Sequence, residues 1–300
     1  CPLPAQHSLA QAMAGDDAQP DRVGKVKKSD DPDDVASLIF TSGTTGQPKG
    51  VMLTHRNFAS LVAKLAGAFD LGVGDGLLSV LPMHHTFEFS CGFLMPFSRG
   101  AEVTYIDELT SDRLGEVFET GRITAMIGVP ALWQLLHRKI TQELAAKPNL
   151  VEQATKGLMA AHAELRNRSS LNLGKILFWP VHRKFGGKMK FLVSGGSVLP
   201  DEVHKAFHAL GFNISEGYGL TEAAPVLSVA EVTNKRQPGT VGKALPGVEF
   251  KISDPDIDGI GEVLAKGPNV MAGYFEDRAA TEVVIKDGWL HTGDLGRLDE

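Results

Sequence analysis

The residues best equipped for chemistry crowd into one stretch, TSGTTGQPKGV, at positions 41–51. Hydroxylated residues, glycines and one lysine follow an apolar run at 36–40 that reads as a strand. Glycine lets successive backbone N–H groups turn toward a single anion, hydroxyls add donors, and Lys49 supplies a movable positive charge. The phosphates of a nucleotide require this equipment. The string is not the Walker loop, GxxxxGK[ST]. Pro48 precedes the lysine, Gly50 follows it, and no Ser or Thr stands behind it to hold magnesium. A flexible glycine turn between strand and helix is the plainer reading; it explains the composition but not the order.

Four other strings carry candidate chemistry. In LVSGGSVLP (192–200) a strand ends in Gly195, Gly196 and Ser197 ahead of a helix. Ligands of open α/β sheets bind beyond strand carboxyl ends, where paired glycines let a flat ring approach the backbone. In EGYGLTEAAP (216–225) Tyr218 offers an aromatic face, and Thr221 and Glu222 set a hydroxyl beside a carboxylate after Gly219. A carboxylate among phosphates calls for a magnesium ion, since like charges otherwise repel. In DGWLHTGDLGRLDE (287–300) Asp294 suits a pair of ribose hydroxyls, although an Asp in a turn is usually a turn former. GEVLAKGPNVMAGYFED (261–277) reads as scaffold at the edge of a β subdomain. Two decoys are set aside. His84 and His85 near Glu88 match no metal-ligand spacing, and DPDIDG (254–259) lacks the Glu that a calcium loop needs, so a hairpin turn explains it better.

These strings need a frame, and the spacing of apolar residues predicts one. Strands are expected at 77–81, 101–106, 125–129, 189–193 and 212–215, and helices at 87–97, 111–120 and 200–210. Ser111 is the expected N-cap of its helix. Pro130 opens another helix in the favoured first position, with Leu132, Leu135, Leu136, Ile140 and Leu144 on one face. The fold class is α/β, a mostly parallel sheet with helices on both faces, followed by a smaller β-rich subdomain. The expected division is an irregular approach over 1–35, an α/β domain over 36–236 and a β-rich part over 237–300, with a hairpin at 248–252 and 262–265.

The 300 residues and the 43 % hydrophobic fraction suit a sizeable core, and a net charge of −6 argues against nucleic acid as a partner. Two cysteines exclude a disulfide framework, and Cys91 reads as a buried thiol of a reducing compartment. No apolar run approaches the roughly 18 residues of a membrane span. The cytoplasm is the expected location, with peripheral membrane contact left open. That contact would use residues 166–190, which hold seven Lys or Arg, no acid, and Phe178, Trp179 and Phe185 between them; a solvated, variable loop is the duller account. The opening Cys1 reads as the start of a processed or excised piece.

Taken together and in this order, the strings resemble the adenylate-forming superfamily of acyl-CoA synthetases, luciferases and peptide-synthetase adenylation domains, over about residues 34–300. LPMHHTFEFSCG and DGWLHTGDLG are most similar to long-chain fatty-acid–CoA ligases. The resemblance implies ATP, Mg2+ and CoA, with a long-chain fatty acid as substrate. It implies that Thr41, Ser42, Gly43, Thr44, Thr45, Gly46 and Lys49 cradle the β- and γ-phosphates. Gly195, Gly196 and Ser197 would line the adenine and acyl site, and Tyr218, followed by Gly219, would stack on the purine. Thr221 would contact the α-phosphate, Glu222 would bind magnesium, Asp294 would hold the ribose, and His85 rather than His84 would sit near the substrate carboxylate. Phe87, Phe89, Phe93, Val129 and Trp133 are candidate walls for the acyl tail. Family members carry a further segment before the phosphate loop and a small mobile C-terminal domain after TGD, so the chain reads as the central part of a ligase, with a nucleotide site but without efficient turnover. Two other functions stay open: adenylation followed by transfer to an acyl carrier protein, for which the basic stretch around Arg183 would dock an acidic carrier, and a non-catalytic nucleotide- or acyl-binding module.

Overall fold

A computed structural model describes residues 30–41, 47–106, 108–169, 171–232 and 239–299. Ser42, Gly43, Thr44, Thr45 and Gly46 therefore lie outside the described residues, as do Cys1, most of the 1–35 approach and the expected boundary at 236. Strands β1 (Val35–Thr41) and β2 (Lys49–Thr54) pair antiparallel, with Thr41 opposite Lys49. The glycine-rich stretch thus joins the two strands of a hairpin, not a strand and a helix.

Thr54 ends β2 and caps helix His55–Ala68. Its hydroxyl accepts from the Asn57 N–H at 3.2 Å, while the Asn57 carboxamide oxygen accepts from the Thr54 N–H at 2.8 Å. This reciprocal arrangement is a capping box in which Asn does the work of the usual Glu. Phe58, Leu61 and Leu65 recur at helical spacing and are buried.

The large sheet has β3 (Gly76–Ser79), β4 (Glu102–Tyr105), β5 (Ile123–Gly128), β6 (Phe191–Ser194) and β7 (Ile214–Gly219) in the parallel order β4-β3-β5-β6-β7. Antiparallel β8 (Val226–Val229) and β9 (Lys243–Ala244) extend it. Both faces are covered, so the central strands are continuous apolar runs. Along β5 and β6, Ala125, Ile127, Phe191 and Val193 enter one core with Leu61 and Leu65, whereas Met126 and Leu192 enter another with Trp133 and Phe207. The expected α/β architecture is present.

Several local expectations shift. Thr110, one residue before Ser111, caps helix Ser111–Thr120, its hydroxyl accepting from the Arg113 N–H. Helix Pro130–Ala145 buries Leu132, Trp133 and Leu136 but leaves Leu135 exposed, because two residues of helix carry Leu135 about 200° around the axis from Trp133. The apolar 87–97 segment is helical, wound as a π-helix over Glu88–Leu94 before Met95–Ser98. Cys91 is buried there as a free thiol, and burial pushes its ionisation upward.

The basic stretch is neither a loop nor one surface. Arg166, in the last turn of helix Asn149–Ser169, is fully buried, donating to the His208 and Phe212 carbonyls and to the Asn213 side chain. Phe178 and Phe185 are core, while Trp179 is exposed. Lys184 pairs with Glu143, and Lys190 with Asp75. Among the described residues no helix is long and apolar enough to cross a membrane.

Beyond the sheet, β10 (Glu249–Ser253) and β11 (Gly261–Lys266) form the expected hairpin, and the turn between them closes on Asp256 and Gly259. With β13 (Ile285–Lys286) and β14 (Trp289–Gly296) they make an antiparallel sheet in the order β10-β11-β14-β13. Strand β12 (Gly273–Tyr274) leaves this neighbourhood and pairs with β2.

The return of β12 depends on Asn57, whose amide donates to the Pro268 and Val270 carbonyls at 2.9 and 2.8 Å. Asn57→Ala removes half of the capping box and strands two carbonyls. Urea denaturation is expected to show a loss of about 3 kcal/mol with an unchanged slope; a loss below about 0.5 kcal/mol refutes the role.

Candidate functional site

A cavity of about 450 Å³ opens at the carboxyl ends of β5, β6 and β7. Its mouth is polar, with His85, Thr86, Gly195, Gly196, Tyr218 and Thr221, and its body is apolar, with residues such as Leu77, Ile127 and Val193. This is where open parallel sheets bind ligands.

Distant segments converge on the mouth. Lys49 at the start of β2 holds its ammonium 5.1 Å from the centre of the Tyr274 ring, a cation–π distance. The Tyr274 hydroxyl donates to Glu222 Oε1 at 2.8 Å. Burial, with Glu222 adding to it, pushes the Tyr274 phenol upward and keeps it a donor. Glu222 lies in the short 3-10 turn Thr221–Ala223, and the Asn269 amide donates to the Ala223 and Val226 carbonyls on either side of the turn's exit. Thr221 meets Thr86 hydroxyl to hydroxyl at 3.3 Å, and Ser90 donates to the Ala224 carbonyl, which ties the turn to the π-helix. The Tyr218 hydroxyl donates to Asp294 Oδ2 at 2.8 Å, bringing β14 to β7.

Lys49, Tyr218, Thr221, Glu222 and Asp294 therefore gather into two linked groups beside the cavity. Thr41 stands at the hairpin base, its hydroxyl donating to the Lys49 carbonyl at 3.5 Å. Gly195 and Gly196 line the mouth, whereas Ser197 is exposed outside the lining. A Cβ at Gly195 would fall 2.9 Å from the Phe87 ring, so the flat group lying on this glycine is Phe87. Gly219 also lines the cavity, and a Cβ there would collide with the Pro225 carbonyl. His85 lines the cavity while His84 does not, although their rings lie 4.3 Å apart.

Two expectations need correcting. Of the candidate walls, Phe87 and Val129 line the cavity, but Phe89 and Phe93 do not, and Trp133 is buried in the core on the opposite sheet face. The 261–277 segment is more than scaffold, since its Tyr274 bridges Lys49 and Glu222. Tyr274, Thr86 and Asn269 went unnoticed because each acts through a partner distant in sequence; an isolated Tyr after MAG offers no local signal.

Among the described residues no three His, Cys, Asp or Glu side chains converge as a metal cage. Glu222, with one oxygen held by Tyr274, fits the alternative that magnesium favours: one protein carboxylate, with phosphate oxygens and waters completing the shell.

A sequence profile described as AMP-binding enzyme matches residues 4–275. The chain is 33 % identical to probable acyl-activating enzyme 16 of Arabidopsis thaliana, over 89 % of this chain and 42 % of that protein. It is 31 % identical to the Arabidopsis long-chain-fatty-acid–[acyl-carrier-protein] ligase AEE15, over 97 % and 45 %. It is 34 % identical to long-chain-fatty-acid–CoA ligase 1 of Cavia porcellus, over 90 % and 40 %. The chain spans less than half the length of these relatives. Among solved structures, a malonyl-CoA ligase ternary product complex with methylmalonyl-CoA and AMP bound aligns at TM-score 0.69 and 27 % identity, over 90 % of this chain and 51 % of that one. ATP-bound MatB from Rhodopseudomonas palustris aligns at TM-score 0.69 and 27 % identity, over 90 % and 47 %.

One buried group next to the lining residues carries a measurable signature. Glu88, between the lining residues Phe87 and Cys91, is fully buried. It accepts from the Ser79 hydroxyl and the Leu81 N–H, while Oε2 has no partner. Desolvation outweighs these bonds and raises its ionisation from 4.5 to about 7. The folded protein thus holds this proton more tightly than the unfolded chain does. Its stabilising contribution is complete below 4.5 and is lost as pH rises through about 7. Thermal unfolding of wild type and Glu88→Gln is expected to coincide near about pH 4 and to separate at about pH 8, with the variant the more stable by about 3 kcal/mol. Parallel pH profiles refute the assignment.

Proposed function

The chain belongs to the AMP-binding enzyme family, and on that premise we propose that its cleft activates a long-chain fatty acid with ATP and passes the acyl group to the thiol of CoA. In the first step a carboxylate oxygen bonds to the α-phosphorus. The bond from that phosphorus to the bridging oxygen breaks, and pyrophosphate leaves. In the second, the thiolate sulfur bonds to the acyl carbon and AMP departs with the electrons of the broken C–O bond.

The observation that carries this reading is a polar mouth gathered from distant segments over an apolar cavity. Lys49 and Thr41, with Ser42, Gly43, Thr44, Thr45 and Gly46 of the stretch outside the described residues, take the β- and γ-phosphates. Adenylation needs charge neutralisation and in-line placement more than covalent help, and Lys49 and loop amides supply these. Thr221 contacts the α-phosphate, Tyr218 and Gly219 lie along the adenine with Gly195, Gly196 and Ser197, Asp294 takes the ribose, and His85 orients the carboxylate. Glu222 would hold magnesium, which when bound neutralises phosphate charge. Tyr274 keeps Glu222 aimed while leaving one of its oxygens available.

The relative named as an acyl-carrier-protein ligase favours a second acceptor, a carrier-protein thiol. Acceptor competition between CoA and acyl carrier protein separates the two. The free, buried Cys91 suits the reducing cytoplasm, and exposed Trp179 and Ile176 with Lys175 and Arg183 would serve a peripheral membrane contact.

Calorimetry with ATP and magnesium tests the site without requiring turnover. Lys49→Ala and Glu222→Ala are each expected to weaken binding about ten- to a hundredfold, the worth of a lost charge-assisted contact. Wild-type affinity in either folded variant refutes the proposal, and acyl-AMP formation with hexadecanoate then checks the chemistry.

A further inference from the structure

The cavity has a direction. Phe191, Val193 and Gly195 alternate along and just beyond β6 and all face it, joined by Ile127 of β5 and Leu77 of β3. Side chains two apart share a sheet face, so the cavity runs lengthwise beside β6. From Gly195 to Phe191 it covers four residue steps, about 13 Å of strand. Polar groups collect only at the Gly195 end, where His85 and Thr221 stand.

The other end is shut. Phe69, just past helix His55–Ala68, packs on Phe191 with ring centroids 5.0 Å apart and an interplanar angle of 34°. Both rings line the cavity, yet they are only 6 % and 3 % exposed. Their chain neighbours close the outside. Lys190, which precedes Phe191, places its ammonium 2.8 Å from Asp75 and 3.6 Å from Asp70, the residue after Phe69. The two ring-bearing segments are thus pinned together at the amino-terminal edge of the sheet, opposite the polar mouth.

We propose that the Phe69–Phe191 pair is the floor that sets the longest acyl tail this chain accepts. The inference rests on the reading that the cavity takes an acyl tail. The tail lies beside β6 with its carboxylate at Gly195 and His85 and its methyl end against the two rings. Selection by length follows from packing. Each methylene that enters tightens binding about fourfold. A tail that overruns the floor must displace two close-packed rings or leave methylenes in water.

Displacement of a fluorescent fatty acid from the 300-residue chain by octanoate, dodecanoate, hexadecanoate and eicosanoate reads the length profile directly. In wild type, affinity is expected to climb with length and then stop or fall. Phe191→Leu and Phe69→Leu keep an apolar side chain in place and are expected to move that limit to longer acids. Val193→Phe, midway along the same face, is expected to move it to shorter ones. Near-ultraviolet circular dichroism establishes that each variant is folded. An identical length limit in all folded variants overturns the floor while leaving the acyl reading intact. Failure of wild type to bind any of the acids, with ATP binding preserved, overturns the acyl reading and the floor with it.

Discussion

A buried carboxamide holds the centre of this structure. Asn269 is fully buried, and its amide spends both protons on the carbonyls of Ala223 and Val226. Two residues on, the Met271 N–H donates to the Glu222 carbonyl. The turn that presents Thr221 and Glu222 is therefore anchored by a segment that is itself tied to helix His55–Ala68 through Asn57. Leaving a buried carbonyl unmet costs about 1–3 kcal/mol, so these bonds are mutually dependent. Without the 268–271 segment the turn has no fixed height over the sheet, and Tyr274 has no route to Glu222.

The same constraint explains how one cavity holds two chemistries. The parallel sheet is covered on both faces and supplies an apolar floor, as its continuous hydrophobic strands require. The cavity's polar groups gather near strand ends, at Gly195, Gly196, Tyr218 and the Thr221–Ala223 turn, with His85 and Thr86 facing them. A phosphate-handling mouth and a hydrocarbon-lined body are thus adjacent because strand ends and strand faces are adjacent. The helical segment that runs from Thr86 through the π-helix to Ser98 joins them, with Thr86 and Ser90 bonded to Thr221 and to the Ala224 carbonyl and Phe87, Cys91 and Met95 lining the cavity. Its wide turn also leaves Glu88 inside, where Gly92 has no side chain to crowd it.

Much of this was legible from residue order. The alternation of apolar runs defined the parallel strands of the large sheet and the helices near 87–97, 111–120 and 200–210 to within a few residues, since periodicity and capping are local, but it did not mark strand Lys49–Thr54 or helix His55–Ala68. The error at a helix start was local as well: Thr110 caps where Ser111 was expected. The candidate site was legible as a set of strings, because glycines, hydroxyls and a lysine in one turn have a physical reason to occur together. Errors about side-chain fate were larger. Arg166 is charged in a basic run and read as surface, yet it is buried, where three acceptors from the 208–213 stretch receive bonds from its two terminal nitrogens.

By itself, then, the amino-acid order determined the kinds of elements, the parallel α/β class, the hairpin after residue 248 and the chemistry that the marked strings could perform. Only the tertiary structure decided which of them meet. Tyr274 reaches Glu222 across 52 positions, Tyr218 reaches Asp294 across 76, and Asn57 reaches Val270 across 213. It also decided which phenylalanines face the cavity, choosing Phe69, Phe87 and Phe191 over Phe89 and Phe93. The reason is physical. Period and turn propensity act over a few residues, whereas a bridge or a cavity wall depends on which sheet face and which strand end the chain has already filled.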